Sequence, residues 1–191
     1  MTVEVLSKKN SKLNNRGASL VELLIMLAII AVLISGSFAA IGLINSSSIK
    51  QATRTTKDYL EKTRTKAMSV EADEWNMILS NDDDSYNLTL NKVVSGKDEG
   101  GNTVTTTDVV DEKNLGSRVT AQLVTASDNK TIGDGDSLKV TFVPSSGAVE
   151  AVFYNGTKIS SSDGIIVIEY TVGERKTLVK LYTVSGKIET E

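Results

Sequence analysis

The sequence of 191 residues predicts an α+β fold. A long N-terminal α-helix, transmembrane in its first half, is expected to pack against a C-terminal antiparallel β-sheet head. Three observations carry this expectation. Residues 23–44 contain no charged side chain. Apolar and small residues then recur at spacings of three and four as far as Val70, the period of one helix face. From Trp75 onward the period shortens to two, and valine, isoleucine, threonine and tyrosine dominate. The chain therefore divides into a leader, 1–17, a helical region, 18–71, and a β-rich head, 72–191.

Composition removes several classes of function. Cysteine is absent, so disulfides, thiolate nucleophiles and thiolate metal sites are impossible. Histidine is absent as well, which takes away the commonest general base and transition-metal ligand. No nucleophile–base pair stands out among the remaining residues. The chain reads as a non-enzyme without a cofactor. Charge is uneven: Lys8, Lys9, Lys12 and Arg16 face only Glu4 in the leader, whereas residues 72–191 hold 11 basic and 19 acidic side chains. A head this acidic repels phosphate backbones, so nucleic acid is not an expected partner. The local excess of Lys50, Arg54, Lys57, Lys62, Arg64 and Lys66 reads as a solvated helix face.

The run from Leu23 to Ile44 is 22 residues, about 33 Å as an α-helix, against a hydrocarbon core of about 30 Å. A buried core helix is usually shorter and amphipathic, so membrane lipid is the expected surrounding. Basic residues before the span place the N-terminus in the cytoplasm and the head outside. Cleavage as a secretory signal near Ser35-Gly36-Ser37 is the competing reading, but the run exceeds the usual ~7–15 apolar residues.

In front of the run stands Asn14-Asn15-Arg16-Gly17-Ala18-Ser19-Leu20-Val21-Glu22-Leu23-Leu24-Ile25. A lone carboxylate at the head of an apolar helix is costly unless it reaches water or finds a cation. Cleavage between Gly17 and Ala18 would create an ammonium group four residues from Glu22. Paired between neighbouring chains, the two charges would fix the axial register of packed helices. Snorkelling of Glu22 to the interface is the plainer alternative.

The string Gly17-Ala18-Ser19-Leu20-Val21-Glu22-Leu23-Leu24, behind its basic leader, resembles the class III signal of type IV prepilins and type II secretion pseudopilins. The resemblance implies that Gly17 ends the leader, that Ala18 is the N-methylated mature terminus, and that Glu22 serves filament assembly. Ala18 departs from the phenylalanine or methionine usual there. Further implied are processing by a prepilin peptidase, an inner-membrane assembly platform, and other pilin subunits meeting through N-terminal helices. The product would be a minor pilin or pseudopilin, held in the cell membrane by a single pass and later placed in an extracellular or cell-surface filament. The alternative is a monomeric, single-span, membrane-anchored extracellular binding domain.

Beyond the span, Ile49, Ala52, Thr56, Tyr59, Leu60, Thr63, Ala67 and Val70 form a narrow stripe for packing under the head. Strands are expected at 75–79, 86–94, 103–110, 119–125, 138–143, 148–154, 165–172 and 175–184. Gly173-Glu174 reads as a two-residue hairpin turn with glycine first. Ser185-Gly186-Lys187-Ile188 reads as a turn into a short last strand. Val143-Pro144-Ser145-Ser146-Gly147-Ala148-Val149 together with Val184–Ile188 is similar to minor pseudopilins of the GspH/FimT type. Residues 95–107 read as a hairpin loop, and Asp82-Asp83-Asp84 as a solvated turn. Asp128, Asp134 and Asp136 are oxygen donors that could meet calcium, although Gly-Asp clusters more often simply make turns.

Overall fold

The computed structural model describes residues 19–69, 74–98, 100, 102–126, 128–159 and 164–191, with the side chains of 36–43 outside the description. The chain forms two compact units, Met1–Ile41 and Gly42–Glu191. Helix α1 (Leu20–Ser69) contributes residues to both.

In the first unit, Ser19 opens the helix. Its Oγ accepts from the Val21 amide at 3.3 Å, and its carbonyl accepts from the Leu23 amide at 3.1 Å. The first bond satisfies one of the amides that a helix start leaves unpaired, and the second is the first intrahelical bond.

In the second unit, α1 buries one stripe: Ile49, Ala52, Thr53, Thr56, Tyr59, Leu60, Thr63 and Ala67 are all at most 4% exposed. Around it stand eleven strands among the described residues. They are β1 (Glu74–Asp82), β2 (Ser85–Lys97), β3 (Thr103–Gly116), β4 (Thr120–Val124), β5 (Asn129–Thr131), β6 (Ser137–Phe142), β7 (Val149–Tyr154), β8 (Thr157–Ile159), β9 (Ile165–Val172), β10 (Arg175–Tyr182) and β11 (Ile188–Thr190). They form two antiparallel sheets, ordered β3-β2-β1-β6-β7-β8 and β11-β10-β9-β4-β5. Strand β9 shows the cause of the layering: its residues alternate half-buried and buried along the whole length, so one face meets the core. Met77, Leu79, Leu88 and Leu138 of one sheet join Leu123, Ile168, Tyr170 and Leu181 of the other in one cluster with the helix stripe.

Two expectations are corrected here. The fold is not a long N-terminal helix packed on a single-sheet head. The helical residues with described side chains fall in two stretches, 20–35 and 44–69, and two sheets account for about 51% of the structure. The physical reason lies in widths. A helix about 10 Å across covers roughly two strands at ~4.8 Å spacing, so one helix cannot roof a six-stranded sheet. The second sheet supplies the rest of the cover. The single-pass membrane location is corrected as well: among the described residues no helix is long and apolar enough to cross a membrane. The first turn of α1 also carries Glu22, a charge that a lipid interior disfavours.

Local differences follow the same logic. Residues 95–107 are not all loop, since β2 and β3 stay paired out to Lys97 and Thr103. The three-residue strands β5 and β8 were not expected, being too short to show an alternating period. The expected hairpin is present with Val172 opposite Arg175, and Gly173 adopts φ +61°.

One residue of α1 ties the two sheets together. Arg64 Nε donates to the Gly147 carbonyl at 3.0 Å and its Nη2 to the Ser185 carbonyl at 3.1 Å. Gly147 lies in the turn after β6, Ser185 in the turn after β10, and the two turns repeat one geometry. In the first, the Gly147 amide reaches the Val143 carbonyl and the Val143 amide the Ala148 carbonyl, both at 2.8 Å. In the second, Gly186 bonds Tyr182 at 2.8 Å and Tyr182 bonds Lys187 at 2.9 Å in the same sense. Both glycines are left-handed, with φ +67° and +64°. They also touch: a Cβ built on Gly186 would lie 1.7 Å from the Gly147 carbonyl oxygen. Gly173 has similar φ but open space around it. Gly173→Ala should therefore cost about 1–2 kcal/mol, the left-handed penalty alone. Gly186→Ala should cost about 3 kcal/mol or more, because backbone must also move. Urea unfolding of both variants measures the difference, and equal losses would refute the turn contact.

Candidate functional site

The first unit presents an unusual surface. Twelve large apolar side chains between Leu20 and Ile34 are exposed, from 49% at Ile30 to 78% at Leu20. They surround the helix rather than forming one stripe. Monomeric proteins seldom leave so much contiguous apolar surface uncovered. Glu22, in the first turn, is the one charged residue of this stretch. Its position suits the helix macrodipole, whose positive end lies there. Ser19-x-x-Glu22 has the spacing of a capping box, but Ser19 Oγ accepts from the Val21 amide, the plain N-cap bond. Gly17 and Ala18 lie outside the described residues.

In the second unit the acidic residues gather near the β1–β2 turn. Asp83 and Asp84 occupy left-handed backbone, φ 51° and 57°, and the Asp83 amide donates to Asp134 Oδ1 at 2.9 Å. The Asp136 carboxylate accepts three hydrogen bonds. Its Oδ2 accepts from the Gly133 amide at 2.8 Å and from the Tyr154 hydroxyl at 2.7 Å, while Oδ1 accepts from Asn155 Nδ2 at 2.5 Å. Asp128 instead pairs with Lys130 at 3.6 Å. The structure therefore does not assemble Asp128, Asp134 and Asp136 into one ligand set. Among the described residues no group of three or more carboxylates could hold a metal ion. Asp136 works as a latch: the loop before β6 is held to the turn after β7 through it. The beginning of β1's last turn is held from the other side, where Asn81 donates from its amide to the Asp136 carbonyl at 3.0 Å and from Nδ2 to the Ile132 carbonyl at 3.1 Å. An open groove of about 590 Å³ runs beside it, lined among others by Asn81, Asp83, Asp84, Tyr86, Thr131 and Asp134.

A second polar cluster joins α1 to β3. Lys62 Nζ lies 3.1 Å from Asp111 Oδ2, and Asp111 also bonds Tyr59. Burial, reinforced by Asp111, pushes the Tyr59 phenol up to about 12. Neither cluster holds a nucleophile beside a base.

The pattern of bonds around Asp136 has a pH consequence. Asn155, then Tyr154 and the Gly133 amide, hold its carboxyl below the ordinary carboxylate range. A carboxyl with a lowered folded value adds stability above its unfolded value near 4, and that share is lost as pH falls toward the folded value. Asp136→Asn should lower the unfolding midpoint at neutral pH and flatten its decline below about pH 4. Thermal melts from neutral to acid check this, and parallel curves for the two proteins would refute it.

Compared with protein-family models, curated proteins and solved structures, the chain matches none.

Proposed function

We propose that the chain is a pilin-like filament subunit, a minor pilin or pseudopilin, trimmed after Gly17 and assembled through residues 20–34. The observation that carries this reading is the exposed apolar helix of the first unit, all but free of charge. Such a surface needs apolar cover, and side-by-side helices of further copies provide it at equal cost to each. In that packing Glu22 would lose water, and a buried unpaired charge costs about 3–5 kcal/mol. The new ammonium of Ala18 on a neighbouring copy is the partner this chemistry asks for. The leader Lys8–Arg16 followed by Gly17-Ala18 supports trimming by an enzyme of the prepilin peptidase class. The head contributes no reacting groups and serves as the displayed part.

The reading has two tests. Mass spectrometry of the mature protein should find a chain beginning at Ala18, and any other start overturns the trimming step. Glu22 tests assembly. Glutamine retains the shape of the side chain but not the charge, whereas alanine loses both. If the ion pair drives incorporation, Glu22→Gln and Glu22→Ala should both cut the ratio of filament to unassembled protein at least tenfold. A normal ratio for Glu22→Gln would sink the pairing mechanism.

A further inference from the structure

Strand β3 is the free edge of the six-stranded sheet, and every residue from Thr103 to Val110 is exposed. Its hydrogen-bonding direction can be read from the turn. The Asp98 amide donates to the Asn102 carbonyl at 3.0 Å, so this is a hydrogen-bonded pair. Antiparallel pairs alternate, and the β2–β3 register continues through Gly96–Val104, Val94–Thr106 and Lys92–Asp108. Those β3 residues point their amides and carbonyls at β2. Thr103, Thr105, Thr107 and Val109 point theirs away from the sheet, along the open edge. Regular pairing ends where the register shifts between Leu90 and Asn91, which leaves Val110 as the bulged residue.

We infer that this edge is a self-association surface, pairing antiparallel with β3 of a second copy. The inference stands independently of the filament proposal. Several features of the edge favour a copy of itself. The other outer strands, β5, β8 and β11, are three residues long and cannot match a seven-residue edge. One symmetric register uses every outward group: Thr103 faces Val109 and Thr105 faces Thr107, in both directions. Each such pair exchanges two hydrogen bonds. The same register sets Thr106 against Thr106 of the second copy and Asp108 against Val104, so no carboxylate faces another. Threonine pairs and threonine–valine pairs suit cross-strand contact. Between Thr103 and Val109 the edge carries neither lysine nor proline, Asp108 is its one charge, and the bulge at Val110 lies beyond the paired stretch. Val104 and Val109, 47% and 60% exposed, would gain cover.

The experiment uses the full chain in detergent micelles, so that residues 20–34 do not drive association. The protein has no cysteine of its own. Thr106 of each copy forms the central non-hydrogen-bonded pair, with Cα atoms about 4.5 Å apart, within disulfide reach. Thr106→Cys should give a covalent dimer under mild oxidation much faster than an exposed control, Ser185→Cys. Thr105→Pro removes an outward amide that β2 does not use, so it should abolish concentration-dependent dimers in sedimentation while leaving the unfolding midpoint unchanged. Should proline disturb the hairpin, Thr105→Lys with Thr107→Lys opposes like charges across the interface and should dissociate the dimer in a salt-dependent way. Equal cross-linking of Thr106→Cys and the control, or a monomer over a hundredfold concentration range, would overturn the inference.

Discussion

The second unit depends on how closely α1 can approach the strands around it. Its buried stripe is built from small and hydroxylated side chains, Ala52, Thr53, Thr56, Thr63 and Ala67, with Tyr59 and Leu60 as the only bulky members of its middle. Short side chains permit close approach, but each threonine brings a hydroxyl into the core. Every one is satisfied. Thr53 bonds the Ile49 carbonyl at 2.9 Å and Thr177 at 2.7 Å, Thr63 bonds the Tyr59 carbonyl at 2.7 Å, and Thr56 meets the Tyr170 hydroxyl at 2.6 Å. Tyr170 is fully buried, and burial raises its phenol well above the ordinary range. Without Thr56 its hydroxyl would stand alone, at about 1–3 kcal/mol. The stripe therefore combines packing and polarity at the same positions. An all-leucine face would satisfy the first and leave Tyr170 without a partner.

Arg64 extends this arrangement to the ends of the sheets. Its guanidinium is always charged and has a fixed fork of donors, which suits two carbonyls held at a set spacing. The paired turns supply that spacing, because glycine contact brings their backbones together. The Val149 amide adds a direct bond to the Thr183 carbonyl at 2.9 Å, across from β7 to the end of β10. Helix, first sheet and second sheet thus share one corner. This corner is polar and largely made of backbone. Its worth lies in fixing orientation, since net gains from single hydrogen bonds are modest, roughly 0.5–1.5 kcal/mol.

What could be read from the sequence was what depends on neighbours in the chain. The stripe 49–67 follows helical spacing, and the span of β9 and β10 with the Gly173 turn follows alternation plus a glycine signal. The motif Ser185-Gly186 was visible as a turn, and Ser146-Gly147 only as part of a pattern resembling minor pseudopilins. Their contact was not, because 38 or so residues separate them and nothing local encodes the meeting. The division into two sheets was missed for a similar reason: strand order is set by pairings such as β1 with β6 and β4 with β9, which alternation cannot rank. The membrane span was read from hydropathy alone, and among the described residues no helix is long and apolar enough to cross a membrane. At the candidate site, Glu22 was visible as a lone charge, whereas the N-cap bond of Ser19 to the Val21 amide is a feature of the folded helix start. The roles of Asp136, Tyr154 and Asn155 became apparent only when the turns after β7 and before β6 were side by side.

The two units differ in how their surfaces are satisfied, and that difference bears on function. In the second unit apolar side chains are taken up by a single core, and the exposed valines sit mainly on β3. In the first unit the apolar residues of the described helix are exposed on all sides, with no core among them. A folded chain under selection for solubility alone would carry charges there, as the outer face of α1 does at Lys50, Arg54, Lys57 and Lys62. The same helix thus changes from uncharged to strongly charged along its length. Among the described residues of the first unit nothing covers the uncharged part. Its shape, a helix apolar around its circumference, is met by several parallel neighbours better than by one groove, because a groove leaves the far side wet. That geometry is the physical ground on which the filament proposal rests.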